Sequence, residues 1–388
     1  MKINYNEKLK KLSPYLFIEI DKKKKEAIDR GADIISLGVG DPDLPTPEHV
    51  IKSMQAAVAN PANHQYPFGA GLISYRKAVC DWYKKRFNVD LEVNEVCSLI
   101  GSKEGIGHIH LGFINPGDVV LIPEPGYPVY NTGTIFTDGI PYFMPLLEKN
   151  NFLPDLDAIP KEIVKKAKLM FVNYPNNPTA AVAPRNFYIN LIKFAKDNDI
   201  IIAADAAYSE IYYDEEEKPL SFLELSGAKE VGVEFHSLSK TYNMTGWRIG
   251  WVCGNKEIVE GISKVKDNYD SGVFQAVQEA AITALSSSQD CVKTVRQIYK
   301  ERRDVLVKGL KELGWEVNLP KASFYVWAKV HKGYTSSQVV SKLLDKAAII
   351  CTPGNGMGSS GEGYIRFALT VSVSRIKEAL ERISKIQW

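Results

Sequence analysis

A lysine flanked by hydroxyl side chains is the most chemically informative feature of the sequence. Lys240 ends the run Ser237-Leu238-Ser239-Lys240, and Arg248 follows eight residues later. Two hydroxyls and an arginine would suit a phosphate group, and a partly desolvated lysine beside cationic neighbours can form a Schiff base with an aldehyde. Most lysines are instead solvated surface residues. The sequence therefore predicts a reactive amine at Lys240, with a surface lysine as the alternative.

A carboxylate and a phenol follow a second apolar run. Asp205 comes directly after Ile200–Ala204, and Tyr208 lies three residues further on. A carboxylate at such a position is costly to bury without a partner. It could cap the next helix, but a cationic heterocycle would be a better partner. The Tyr208 hydroxyl could then contact a ring oxygen of the same ligand.

Two further motifs indicate a turn and an anion site. The segment 173–180, NYPNNPTA, contains Asn-Pro pairs that favour a turn. In Gly101-Ser102-Lys103-Glu104-Gly105 the chain passes from a strand through glycine into a predicted helix. A helix start of this kind offers free backbone N–H groups and a favourable dipole to an anion. Either motif alone is a weak signal.

All four motifs lie at the ends of short apolar runs that are typical of buried parallel strands. Between about residues 50 and 285 these runs alternate with segments of helical periodicity, the pattern of repeated βα units. Asn173, Asp205 and His236 follow successive runs at intervals of 32 and 31 residues, about one βαβ unit each. Ligands bind outside the carboxyl ends of such strands, so these side chains are expected to converge. The predicted strands are Val96–Ile100, Val119–Ile122, Leu169–Val172, Ile200–Ala204, Val231–Phe235 and Ile249–Val252.

The character of the chain changes near residue 290. A basic helix, Val292–Leu313, precedes shorter predicted strands around Phe324–Val330 and Tyr364–Thr370. The first forty-five residues, with a predicted strand at Ile34–Val39, are too few to form a core alone. We therefore predict an α/β protein with a large domain at 46–288, whose mostly parallel sheet is flanked by helices. A smaller α+β domain at 289–388 is completed by an N-terminal arm at 1–45.

Composition excludes several classes of protein. With 388 residues, 45% hydrophobic residues and a net charge of +2, the chain is long enough for a large core and carries no excess of one charge. Nucleic acid and anionic membranes are therefore not expected partners. The five widely spaced cysteines form no CxxC pair, and no apolar stretch suits a signal peptide or a membrane span. These features favour a soluble cytoplasmic protein.

Taken in order, the four motifs resemble the fold-type I, pyridoxal-phosphate-dependent aminotransferases of class I and II over nearly the whole chain. The resemblance implies that Lys240 is the catalytic residue that forms a Schiff base with pyridoxal 5'-phosphate, and that Asp205 pairs with the pyridine nitrogen. It implies a homodimer with shared active sites, in which Tyr66 reaches the phosphate of the neighbouring subunit. It places the other cofactor contacts at Ser102, Lys103, Tyr127, Asn177, Tyr208, Ser237 and Arg248.

The same resemblance implies amino-acid and 2-oxo-acid substrates. It assigns their α-carboxylate to Arg366, assisted by Asn177 and the backbone at Gly40, and a guanidinium matches a carboxylate with two parallel hydrogen bonds. Runs such as YLF at 15–17 and HSLSKTYNMTGWR at 236–248 are most similar to the LL-diaminopimelate aminotransferases. Those enzymes transfer an amino group from glutamate to tetrahydrodipicolinate in lysine biosynthesis. In them Tyr15 would line the substrate channel, and Lys103 would also help to bind the substrate.

Two departures from the family pattern leave alternatives open. LL-diaminopimelate aminotransferases commonly carry an acidic residue just after the Tyr66 position, suited to a distal ammonium, whereas this chain has Phe68, Gly69 and Ala70. An aspartate, alanine or aromatic aminotransferase is therefore the alternative. Ala180 also stands where the family usually has glycine, which matters only if that position needs a positive φ.

Other classes of function fit the sequence less well. A nicotinamide-dependent reductase would need G-x-G-x-x-G between a strand and a helix. The segment at 38–40 runs instead into Pro42, and the one at 354–358 has Ser359 at the third glycine position. A non-catalytic regulator that binds pyridoxal phosphate is the remaining, non-enzymatic alternative. The six histidines, including His108 and His110, show no ligand spacing, so no metal site is expected.

Overall fold

The computed structural model describes residues 1, 3–12, 16–67 and 69–388. The strands found there are β1 (Ile35–Ser36), β2 (Val96–Leu99), β3 (Val119–Glu124), β4 (Ile140–Pro145), β5 (Ala167–Asn173), β6 (Ile201–Asp205), β7 (Gly232–Ser237), β8 (Gly250–Gly254), β9 (Tyr325–Lys329), β10 (Ile349–Ile350), β11 (Thr352–Pro353) and β12 (Tyr364–Ala368). The α-helices are α1 (Glu7–Lys10), α2 (Leu16–Asp29), α3 (Glu48–Val58), α4 (Ile73–Phe87), α5 (Ser102–Phe113), α6 (Val129–Phe136), α7 (Lys161–Val164), α8 (Arg185–Asn198), α9 (Ala228–Val231), α10 (Leu238–Thr241), α11 (Lys256–Tyr269), α12 (Gln275–Ser286), α13 (Asp290–Glu312), α14 (Ser336–Ala347) and α15 (Val373–Ser384).

A mostly parallel sheet of order β2-β8-β7-β6-β5-β3-β4 forms the centre of the protein. The pairs from β4 through β3, β5 and β6 to β7 are parallel, and β8 runs antiparallel to both of its neighbours. Every residue of β2, β3, β7 and β8 is buried, as expected for strands covered on both faces. The predicted α/β class and all six predicted strands are confirmed, with bounds that differ by one or two residues.

Helices cover both faces of this sheet and bury two apolar layers. One layer packs residues of α3, α4, α8 and α12 against the strands, and the other packs residues of α5, α6 and α11 against the opposite face. The sequence did not predict β4, the edge strand. Only Met144 of its six residues is buried, and it carries Pro141 and Pro145, which an edge strand tolerates.

Two smaller sheets lie outside the central one, one of three strands and one of two strands that joins the N-terminal and C-terminal parts of the chain. Strand β12 lies between β11 and β9, antiparallel to both, and β1 pairs in parallel with β10 through Ile35 and Ile349. Ile35 and Leu37 join one apolar cluster with residues of α13, β9, α14, β12 and α15. Of the predicted strand Ile34–Val39 only Ile35–Ser36 is found, because the carbonyls of residues 38–40 accept hydrogen bonds from the side chains of Arg366, Thr370 and Lys240. No helix within the described ranges is both long and apolar enough to cross a membrane.

Candidate active site

The carboxyl ends of β5 and β6 bring two predicted side chains together. Asn173 and Asp205 are paired in register, and the Asn173 amide donates to the Asp205 carbonyl at 2.8 Å. The Asn173 side-chain oxygen also accepts from the Asn177 backbone N–H at 2.8 Å, which fixes the turn after β5. The predicted convergence of His236 with these residues is wrong. His236 points to the other face of β7, stacks on Trp251 and bonds Glu234, while the next residue, Ser237, faces the site.

A cavity of about 320 Å³ opens at this edge of the sheet, within the range of small-molecule sites. It gathers most of the residues that the sequence singled out. Those lining it are Gly40, Ser102, Lys103, Tyr127, Asn173, Asn177, Asp205, Tyr208, Ser237, Lys240 and Arg248. Ser239, the second hydroxyl of the predicted phosphate motif, also lines it, and the side chains that sequence reasoning missed include Asp41, Thr245 and Tyr325.

Lys240 lies on the short helix α10, between β7 and β8, with its amine turned inward. The ammonium donates to the Gly40 carbonyl at 2.8 Å. Burial lowers the pKa of Lys240 to about 8, and the positive charges of Arg366 and Arg248 lower it further, while Asp41 opposes the shift. A lysine with this pKa is a better nucleophile and base near neutral pH than an ordinary lysine.

Asp205 ends β6 and is buried, with 6% of its surface exposed. Its carboxylate accepts from the Tyr130 hydroxyl at 2.7 Å and from the Ala207 backbone N–H at 3.3 Å. Burial nevertheless raises the pKa of Asp205 above its usual range, because these two bonds do not replace the lost hydration. A cation placed against this carboxylate would be strongly favoured.

The start of α5 forms a cradle of the kind that binds an anion. Gly101 precedes the helix with a φ of +73°, and a Cβ there would lie 2.3 Å from Nη2 of Arg248. Ser102 and Lys103 are the first residues of the helix, where backbone N–H groups lack intrahelical partners. Glycine at 101 thus lets the guanidinium approach the helix start, and the predicted anion site has the required geometry.

Arg366 lies on β12 behind the cavity and is fully buried. One Nη atom donates to the Asn177 side-chain oxygen at 2.7 Å, and the other donates to the Gly38 carbonyl at 2.6 Å. The guanidinium also lies 4.3 Å from the ring centroid of Tyr325. The surface-arginine alternative is therefore wrong, because the guanidinium is fully buried and hydrogen-bonded to Asn177 and Gly38.

Tyr15 and Tyr66 are the two remaining predicted site residues. Tyr15 falls outside the described residues. Tyr66 is 73% exposed and does not line the cavity of its own chain.

A buried cluster of charged side chains lies at the first turn of α5. Glu104, two residues into α5, lies 2.6 Å from the amine of Lys266 and 2.9 Å from Nδ1 of His108. Lys266 is fully buried and also reaches Asp270 at 3.1 Å. Glu104, His108 and Asp270 are close enough to ligate a metal ion, but the Lys266 ammonium supplies the positive charge at this point.

Comparisons with known proteins agree with this geometry. Residues 32–383 match the family model for aminotransferase class I and II. The chain is 55% identical over 380 residues to an LL-diaminopimelate aminotransferase from Moorella thermoacetica, covering 98% of this chain and 97% of that one. It is 54% identical to the enzyme of the same name from Aquifex aeolicus, covering 99% of each.

Solved structures show the same fold over the whole length. Substrate-bound BacF from Bacillus subtilis superposes with a TM-score of 0.95 at 38% identity, covering 99% of this chain and 98% of that one. Aspartate aminotransferase from Thermus thermophilus with maleate superposes with a TM-score of 0.93 at 26% identity, covering all of both chains. The chain belongs to the class I and II aminotransferases, enzymes that depend on pyridoxal phosphate.

Proposed function

We propose that this protein is an LL-diaminopimelate aminotransferase, which moves an amino group between glutamate and tetrahydrodipicolinate in lysine biosynthesis. The observation that carries its chemistry is Lys240, an amine with a pKa of about 8 in the same cavity as the buried carboxylate of Asp205. The substrate assignment is supported by several relatives of that name, which are 53–56% identical over 97–99% of the chain.

The residues of the cavity fit pyridoxal 5'-phosphate. Asp205 is a buried carboxylate whose raised pKa calls for a cation, and a protonated pyridine nitrogen is one. The glycine cradle at the start of α5 would hold the phosphate, with Ser102, Lys103, Ser237 and Arg248 around it. Tyr127 would cover the ring face, and Tyr208 and Asn177 would contact its hydroxyl oxygen.

The cofactor, when bound, supplies the electron sink that makes the Cα–H bond of an amino acid acidic. The protein controls where that proton goes. Because its pKa is low, Lys240 has a neutral Nζ in a useful fraction of molecules, and this nitrogen would take the proton from Cα and deliver it to C4′ of the bound cofactor. Arg366 binds the α-carboxylate and so turns the Cα–H bond toward Lys240, while Asn177 keeps the guanidinium in place.

We also propose the assembly and the domain division. A homodimer would bring the exposed Tyr66 of each chain to the phosphate of its neighbour. Residues 46–288 would form the cofactor domain, and 1–45 with 289–388 the smaller domain. The separate apolar cluster shared by Ile35, Leu37 and the C-terminal elements supports this division.

Two experiments test the proposal. Borohydride reduction of the loaded enzyme followed by peptide mass spectrometry should find the pyridoxyl group on Lys240, and an adduct on another residue would contradict the site. A donor panel with 2-oxoglutarate should show the fastest turnover for LL-diaminopimelate. Rapid turnover of aspartate, alanine or phenylalanine without diaminopimelate activity would instead establish the alternative, which the absence of an acidic side chain at Gly69 and Ala70 keeps open.

A further inference from the structure

Tyr325 contacts Tyr208, which we assign to the cofactor, and Arg366, which we assign to the substrate. It is the first residue of β9 and only 2% of its surface is exposed. Its hydroxyl lies 3.0 Å from the hydroxyl of Tyr208, and its ring lies beneath the guanidinium of Arg366 at 4.3 Å. None of the motifs in the sequence includes this tyrosine.

The same hydroxyl lies against the backbone of Gly40, whose carbonyl accepts from Lys240. A Cβ on Gly40 would lie 2.0 Å from the Tyr325 hydroxyl oxygen, so only glycine lets the chain pass here. The Gly40 carbonyl is the acceptor for the amine of Lys240. Tyr325 therefore touches three groups of the site: Tyr208, Arg366 and the Gly40 segment.

We propose that Tyr325 is a positioning residue whose hydroxyl donates to Tyr208, so that the Tyr208 proton is directed into the cavity toward the cofactor ring. This inference rests on the proposed cofactor. A phenol has one proton and can accept as well as donate. When Tyr208 donates to a ring oxygen, its own oxygen can accept from Tyr325, and a hydrogen bond received on that oxygen strengthens the one it gives.

The surroundings of the pair are consistent with two protonated phenols. Burial raises the pKa of both tyrosines, so each keeps its proton at neutral pH. The charged groups that act on Tyr325 are Arg366, which stacks on its ring, and Asp41, which lines the same cavity. These charges act on Tyr325 with opposite signs.

The Tyr325→Phe variant tests the hydroxyl alone, because the ring under Arg366 remains. In the loaded enzyme, the pH midpoint of the cofactor's absorbance change should rise by about 0.3–1 unit, since the ring oxygen loses part of its hydrogen bond. KM for the amino acid should stay within about twofold, because the stack beneath the guanidinium is retained. In a Tyr208→Phe background the same substitution should produce no further shift.

Tyr299→Phe is the matched control. Tyr299 is fully buried in the same cluster, and its hydroxyl has no hydrogen-bond partner among the described residues. It should leave the midpoint unchanged. An unchanged midpoint in Tyr325→Phe, an equal shift in Tyr299→Phe, or an additive shift with Tyr208→Phe would each overturn the proposal.

The spectral measurement also separates this proposal from the proposed function. It needs no amino-acid substrate, so a wrong substrate assignment leaves the midpoint readable. Failure of the wild-type protein to bind pyridoxal phosphate would refute the proposed function, and the inference about Tyr325 would fall with it. Thermal unfolding of each variant reports whether its fold is intact.

Discussion

The cofactor-free enzyme should carry one amine that is far more reactive than an ordinary lysine. Burial and two neighbouring arginines bring the pKa of Lys240 from 10.5 to about 8. At pH 7 the neutral fraction of such an amine is about one in ten, and that of an unperturbed lysine is about one in 3,000. Because only the neutral amine attacks a carbonyl, and a less basic amine is also less nucleophilic, Lys240 should react faster than an unperturbed lysine of equal accessibility by at most about 300-fold.

Reductive methylation measures this difference directly. Short pulses of formaldehyde and cyanoborohydride at pH 6–10, followed by digestion and peptide mass spectrometry, give the initial rate at Lys240. The rate should rise about tenfold per pH unit up to pH 8 and then level off, as expected for titration of a single amine. Lys332, which is exposed, provides an internal reference in the same digest.

Two variants test the cause of the shift, because they should move the midpoint in opposite directions. Arg366→Leu removes a positive charge that lowers the pKa of Lys240, so the midpoint should rise. Asp41→Asn removes a negative charge that raises this pKa, so the midpoint should fall. A wild-type midpoint near pH 10, or shifts of the same sign in both variants, would refute the electrostatic reasoning.

Three further substitutions have expected outcomes. Ala180 has a φ of +59°, so Ala180→Gly should raise the free energy of unfolding by about 1 kcal/mol in a urea titration, whereas Ala183→Gly, at a buried position without a positive φ, should lower it. Arg366→Lys should raise KM for amino and 2-oxo acids alike by about 10–100-fold, since it removes a bidentate match worth about 1.5–3 kcal/mol; an effect on one substrate only would contradict this. Lys266→Met removes the positive charge that pairs with Glu104 and Asp270, so it should lower the free energy of unfolding by about 3–5 kcal/mol in the same titration. An unchanged free energy of unfolding would contradict a stabilising role of the cluster.

The strands were predictable where burial on both faces gave an uninterrupted apolar run. This holds for β5 and β6, whose observed ends, Asn173 and Asp205, are the polar residues that the sequence marked. It fails for β4, which lies at the sheet edge and has no such run. The strand prediction is also wrong after Ser36, because the Gly38 carbonyl accepts a hydrogen bond from Arg366 instead of pairing in a sheet.

The site was predictable where a motif marks a strand end, and not where tertiary pairing alone creates it. Lys240 and Asp205 stand out locally, because each is a polar side chain next to an apolar run. Tyr325 lies inside an apolar segment, and its partners are distant in the chain. Arg366 lies on the neighbouring strand β12 of the same sheet, and Tyr208 follows β6 of the central sheet. His236 shows the complementary error, because alternation along β7 turns it away from the cavity.

The burial of Lys240 and Asp205 also favours binding of a ligand that carries both a cation and an aldehyde. Folding lowers the pKa of the lysine and raises that of the carboxyl group, so burial disfavours the charged form of both. For Lys240 the unfolded chain binds more protons between pH 8 and 10.5, so this group's cost, about 3 kcal/mol at neutral pH, disappears as the pH rises through that window. A cationic ring nitrogen stabilises the buried carboxylate of Asp205. An aldehyde that forms a Schiff base with Lys240 removes the cost of burying its ammonium. The free-energy cost of burying these two groups in the free protein therefore adds to the affinity for a molecule that carries both a cationic ring nitrogen and an aldehyde.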